Sequence, residues 1–143
     1  MKNFLLILIL FSGFFIQAQT DSVATDQPVQ DPPIVGSENY NVVEQMPEFP
    51  GGQDAMMKFI SKNVKYPENA IQNNVEGKVV LKFVVNTQGE IRDIEVISKV
   101  KYGYGLEEEA IRVIKKMPRW TPGKLNGKPV NVYFSLPISF RLK

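Results

Sequence analysis

EGKVVLKFVVNTQGEIRDIEVISK, residues 76–99, decides the fold. From Glu76 to Asn86 the side chains alternate with period two. Val79, Leu81, Phe83 and Val85 share one face, and Lys78, Lys82 and Asn86 share the other, which Val80 and Val84 join. That spacing predicts a strand with one buried face. Asn86-Thr87-Gln88-Gly89 carries turn chemistry, with Gly89 available for positive φ. Ile91 to Lys99 then brings β-branched Ile91, Ile94, Val96 and Ile97. The two runs predict an antiparallel hairpin.

On the N-terminal side of this hairpin, Met56, Phe59, Ile60 and Val64 make an apolar stripe at i, i+3, i+4 and i+8. It predicts an amphipathic helix over Gln53–Val64. Tyr66-Pro67 interrupts it, because the residue before a proline avoids helical dihedrals. Pro67 is suited to start a second short helix running to about Asn73. On the C-terminal side, Leu106, Ala110, Val113, Ile114 and Met117 form another helical stripe, stopped by Pro118. Glu107, Glu108 and Glu109 open this helix, and Arg112, Lys115 and Lys116 close it. That order suits the helix dipole and predicts a Glu108–Arg112 pair. Thr121 to Lys124 can begin a strand, and Asn126-Gly127 signals a tight turn. Val130 to Leu136 reads as the last strand, with Pro137 marking an edge or a bulge. The expected fold is an α+β two-layer domain: a three-stranded antiparallel sheet with helices on one face.

The rest of the chain reads as an address and a leader. Met1-Lys2-Asn3, the apolar run Phe4 to Ile16, and Gln17-Ala18-Gln19 have the layout of a secretory signal peptide cut after Ala18. The alternative is an uncleaved anchor, although a spanning helix needs about 20 apolar residues. Residues 19–51 hold Pro28, Pro32, Pro33, Pro47 and Pro50 among polar residues and predict a leader without its own core. Val42-Val43 and Met46 to Phe49 are its candidates for docking on the domain, which is expected over residues 52–143.

The composition excludes several chemistries. The chain has 143 residues, no cysteine and no histidine. Disulfides, thiol nucleophiles and the usual general base of nucleophilic catalysis are therefore absent. Glu107, Glu108 and Glu109 do not qualify as paired carboxylates, since consecutive helix residues do not face one another. No metal-ligand spacing, phosphate loop or nucleic-acid motif occurs, so no cofactor, metal or catalytic residue is expected. Residues 19–75 carry eight acids and three lysines, whereas residues 76–143 carry thirteen Lys or Arg and seven acids. The basic excess is spread along the domain and not clustered, which reads as an ordinary solvated surface; the alternative is a surface for an acidic partner.

Several of these features align with one family. Tyr66-Pro67, Ala70, Val75-Glu76-Gly77 with its alternating strand, and Gly89 resemble the first half of a TonB C-terminal domain. Met117-Pro118-Arg119-Trp120, Pro122-Gly123-Lys124 and Asn126 to Val130 resemble the second half. Met46 to Gly52 ahead of a helix is similar to short TonB-like energy transducers of the Bacteroidetes type. The likeness covers roughly residues 46–140.

The resemblance implies a periplasmic, non-enzymatic module. It would bind the TonB box, a short extended segment of TonB-dependent outer-membrane transporters, as an added strand. Energy would come from an inner-membrane motor of the ExbB–ExbD type. By analogy the receiving edge is Val130, Asn131, Val132, Tyr133, Phe134, Ser135 and Leu136. An exposed sheet edge can accept a strand, but the same run also reads as a core-covering strand blocked by Pro137. Tyr66 and Pro67 match family positions near the docked peptide, and equally read as a helix breaker with a packed ring. A cleaved signal would leave no membrane helix to receive force, and the leader lacks a long Pro/Lys/Glu spacer. The second functional reading is therefore a soluble envelope adaptor or structural protein, on peptidoglycan or an assembly partner, without energy transduction. Exposed edges also permit a strand-exchanged homodimer.

Overall fold

The computed structural model describes residues 34–35 and 43–143. The expected signal segment, residues 1–18, lies outside the described residues. In chain order the elements are β1 (Ile34–Val35), α1 (Gly52–Asn63), α2 (Glu68–Gln72), β2 (Gly77–Val85), β3 (Ile91–Ser98), α3 (Leu106–Lys115), β4 (Gly123–Leu125) and β5 (Lys128–Phe140). No helix among the described residues is long and apolar enough to cross a membrane.

The hairpin read from residues 76–99 is present as β2 and β3, paired antiparallel. Asn86 closes it: its N–H donates to the Glu90 carbonyl at 2.9 Å, and its Oδ1 accepts the N–H groups of Gln88 and Glu90. Gly89 holds φ +79 in this turn, and its carbonyl accepts the Trp120 N–H at 2.8 Å. A side chain there would collide with the Trp120 carbonyl, so the turn and the chain before β4 are locked together.

β5 continues through Pro137 to Phe140 and pairs with the whole of β2, from Gly77↔Phe140 to Val85↔Val132, without a register break. The period-two pattern becomes a core of facing pairs: Val79 with Ile138, Leu81 with Leu136, Phe83 with Phe134, Val85 with Val132. The first three pairs share one apolar cluster with Met56 and Ile60 of α1 and Leu106, Ala110, Val113 and Ile114 of α3. This is the expected two-layer arrangement of helices against one face of a sheet.

The sheet has more strands than expected. Its order is β1-β5-β2-β3, with β4 pairing to β5 beside that path. β1 runs parallel to β5, so the sheet is mixed instead of purely antiparallel. A two-residue strand leaves no periodicity to read, and its partner supplies the reason for its existence. Two smaller differences have equally local causes. Helix α1 ends at Asn63, because Val64 is already extended (φ −67, ψ 127) on its way to Tyr66-Pro67. Arg112 pairs with Glu109, not Glu108, through Nε and Nη2 at 2.8 and 2.6 Å. Glu109 is favoured because it also accepts the Lys65 N–H at 2.6 Å, bridging α3 to the chain after α1.

Candidate functional site

A strand-accepting site requires an open edge, and the sheet offers two. They differ in regularity. On β3 the pairing slips twice: Val80 and Leu81 face Ser98 and Val96, and Lys82 and Val84 face Glu95 and Arg92. Each slip puts one extra residue into β3. Asp93, at φ +52, lies in one of them. Bulges of this kind twist an edge away from pairing, and Arg92, Asp93 and Glu95 add charge. β5 has no such break.

The direction of the polar groups on β5 follows from two independent facts. In an antiparallel ladder a residue's N–H and C=O point to the same side, and successive residues alternate. The Asn86 N–H bonds to Glu90 on the β3 side, so Val85, Phe83 and Leu81 face β5 and meet Val132, Phe134 and Leu136. Pro137 has no N–H, and it sits opposite Val80 in an unbroken register, which fits only if its nitrogen faces away from β2. Tyr133, Ser135 and Ser139 therefore present both N–H and C=O to the outer edge, and Pro137 presents its C=O. From Phe134 to Phe140 this outer side has no strand partner among the described residues, while the Tyr133 N–H meets the Val35 carbonyl of β1.

The seven edge residues expected from the sequence divide into three groups. Val130 pairs with Gly123 of β4. Asn131 and Val132 pair with Ile34 and Val35 of β1. Tyr133 gives its N–H to the Val35 carbonyl at the end of β1, and Phe134, Ser135 and Leu136 begin the open part. Val132 faces β2, so its N–H is not available to a guest, whereas that of Ser135 is. Asn131 is buried, and its Oδ1 accepts the Thr87 N–H at 3.1 Å.

Tyr66 and Pro67 lie elsewhere. The Tyr66 ring stands edge-on to Phe140 at 5.8 Å, and its hydroxyl donates to the Val75 carbonyl. Burial raises the pKa of that phenol, and the negative charge of Glu76 adds to the effect. The Pro67 carbonyl accepts the N–H groups of Ala70 and Ile71 and so starts α2. Phe140 is four residues beyond Leu136, on the order of 13 Å along the strand. The structure thus sets Tyr66 and Pro67 at the far end of β5 from Val130.

A groove of about 280 Å³ runs beside the open edge on the helix face, lined by Pro47, Phe49, Met56, Trp120, Phe134 and Leu136 among others. Its floor is aromatic. Trp120 stands edge-on to Phe134 at 4.9 Å, Phe83 at 5.7 Å and Phe49 at 5.9 Å. Trp120 is 3% exposed, and its Nε1 has no hydrogen-bond partner among the described residues. Phe49 comes from before Gly52, held there by reciprocal hydrogen bonds of 3.0 and 2.8 Å between Glu48 and Thr121. On the opposite face Lys82 Nζ sits 4.4 Å from the Tyr133 ring centre. A strand added to β5 would turn alternate side chains into the groove. The sequence reading missed this groove; the lone Trp120 and the apolar run Met46 to Phe49 were its available signals.

Two carboxylates are held ionised near this framework. The Asn86 amide holds the Glu90 carboxyl below the usual range, with Arg119 and Arg92 contributing charge. Arg112 does the same for Glu109, and the Lys65 N–H assists. Both brace turns and helices, and neither faces the groove.

These features define a class: an α+β two-layer domain with one blunted and one regular sheet edge. The chain belongs to the family of the Gram-negative bacterial TonB protein C-terminal, whose model matches residues 62–142, more than half of its length. That family is an envelope-associated, non-enzymatic protein-interaction family, and its members bind TonB-dependent transporters. Among solved structures, the chain is similar to two NMR solution structures of Helicobacter pylori TonB-CTD. One (residues 194–285) is 26% identical, with a TM-score of 0.45, over 63% of this chain and 92% of that one. The other (residues 179–285) is 23% identical, with a TM-score of 0.45, over 66% and 87%. No curated protein matches the chain.

Proposed function

We propose that this protein is a periplasmic TonB-like module that binds TonB-dependent outer-membrane transporters by strand addition to the outer edge of β5, in energy-coupled transport. The observation that carries the reading is the contrast between the two edges: β3 is bulged and charged, whereas β5 keeps one register along its whole pairing with β2. The guest would pair with Tyr133, Ser135 and Ser139 and turn alternate side chains into the groove beside Phe49 and Trp120. Main-chain bonds give affinity in this mode, and the pockets for alternate side chains give selectivity. An apolar residue at those guest positions matches the aromatic lining.

The export signal read in residues 1–18 would deliver the module to the periplasm. Coupling to an ExbB–ExbD-type motor depends on retention of Phe4–Ile16 as an anchor. NMR titration of the protein with synthetic peptides from the N-terminal segments of TonB-dependent transporters tests the site. The amides of Tyr133, Ser135 and Ser139 should shift. Shifts confined to β3, or none at all, would refute the assignment.

A further inference from the structure

We propose that the outer edge of β5 is also a binding site for the chain's own leader, and that Ile34–Val35 occupies it in competition with any strand added from outside. The competitive part rests on the function proposed above; the occupancy part does not.

β1 already pairs with this edge: Ile34 lies opposite Asn131 and Val35 opposite Val132, running parallel to β5. The alternation that turns Tyr133 and Ser135 toward the edge does the same for Asn131. One side of a strand takes one partner at each position. In a parallel ladder a facing residue bonds the two neighbours of its partner, so Val35, opposite Val132, reaches the Asn131 carbonyl and the Tyr133 N–H, and a guest that takes the Tyr133 N–H must displace it.

The chemistry of the segment limits its grip. Ile34 and Val35 are β-branched and suit a strand. Pro32 and Pro33 precede them and have no N–H to donate, and Gly36 follows as a poor strand former. The cis strand is thus short by composition and releasable.

Its local concentration is nonetheless high. Seven residues separate Val35 from Val43, and Glu44 and Gln45 are fixed to β4 by N–H donation to the Lys124 carbonyl at 3.0 and 3.2 Å. A tether this short gives an effective concentration on the order of millimolar. Two or three backbone hydrogen bonds, offset by ordering of the segment, are then enough to keep the edge mostly covered. The apparent affinity of a guest falls by the fraction of molecules left open.

The test uses the full chain and the double variant I34P/V35P, which cannot donate from either position. Amide hydrogen exchange by NMR reads the Asn131 and Tyr133 amides, with the Val132 amide, which faces β2, as internal control. Tyr133 should exchange roughly threefold to tenfold faster in the variant while Val132 is unchanged. The transporter peptides of the preceding experiment should bind the variant tighter by the same factor. Equal exchange in both proteins overturns the occupancy, whatever the peptides do. Faster exchange with equal or weaker peptide binding overturns the competition. If no peptide binds either protein, the proposed function fails, and the exchange rates alone still decide whether the leader occupies the edge.

Discussion

Ser135→Pro tests the binding edge with little disturbance of the fold. Ser135 is exposed, lies opposite Lys82, and turns its N–H away from β2. Proline two residues later, at Pro137, already shows that this side of the strand accommodates the ring. Phe134 is already extended, so the restriction on the residue before proline costs nothing new. Stability should change by less than about 1 kcal/mol, since no bond to β2 is lost. A docked guest loses more. One backbone hydrogen bond contributes about 1 kcal/mol net, and its carbonyl partner on the guest is left unpaired. The ring also occupies the place of the N–H and pushes the guest beyond the normal spacing of about 4.8 Å, which weakens the neighbouring bond at Tyr133. Together these cost about 2 kcal/mol, or roughly thirtyfold in affinity. Ser135→Thr keeps the N–H and should bind within about twofold of the parent. Isothermal titration with the transporter peptide gives both affinities, and urea unfolding gives both stabilities. A folded Ser135→Pro protein that binds as tightly as the parent would show that the guest does not pair along this edge.

Three further outcomes follow from the framework. Gly89→Ala places a Cβ 1.9 Å from the Trp120 carbonyl at φ +79, whereas Gly127→Ala meets nothing within 4 Å at φ +72. Gly89→Ala should cost about 2–4 kcal/mol against about 1 for Gly127→Ala in thermal unfolding, and equal losses would contradict the locked turn. Phe49→Ala should cost about 3 kcal/mol in urea, because the ring is buried against Phe59 and Trp120; a loss below about 1 kcal/mol would place it outside the cooperative unit. Glu109 has a lowered folded pKa, mainly through Arg112, so its contribution is present above the unfolded value of about 4.3 and is lost as pH falls through the folded value. In Glu109→Gln the stability loss below about pH 4.5 should be shallower than in the parent, and an unchanged slope would mean that the pair does not contribute.

Much of this architecture is legible in residues 52–143, and the exceptions have physical causes. The period-two run Val79 to Val85 and the stripe Leu106 to Ile114 each carry enough repeats to specify both element and buried face. The irregular β3 edge was not anticipated, because four β-branched residues in eight specify a strand while the slips show only against the register of β2. β1 was not legible, because two β-branched residues after two prolines become a strand only when a partner edge is present. Nor could three successive glutamates reveal which one Arg112 would select; the Lys65 N–H decides it from 44 residues away. For the site, the strand could be located but not the side to which each N–H points. That requires the partner strand, and Pro137 was the one local clue. The groove needed Phe49, Trp120 and Phe134 brought together from three separated segments, which periodicity does not report.

The unequal treatment of the two edges is itself informative. An open edge is a hazard for any soluble domain, and bulges and charge are the usual protection. β3 has both. The edge-facing positions of β5, Tyr133, Ser135, Pro137 and Ser139, carry no charge, and the register is unbroken. Pro137 removes a single donor and leaves those of Tyr133, Ser135 and Ser139 in place. If the β5 edge had no use, the devices spent on β3 would serve it equally well. It is covered instead over its first two positions by a strand of the chain's own leader, too short to hold firmly. Removable cover protects an edge while leaving it able to pair, which a bulge or a row of charges cannot do.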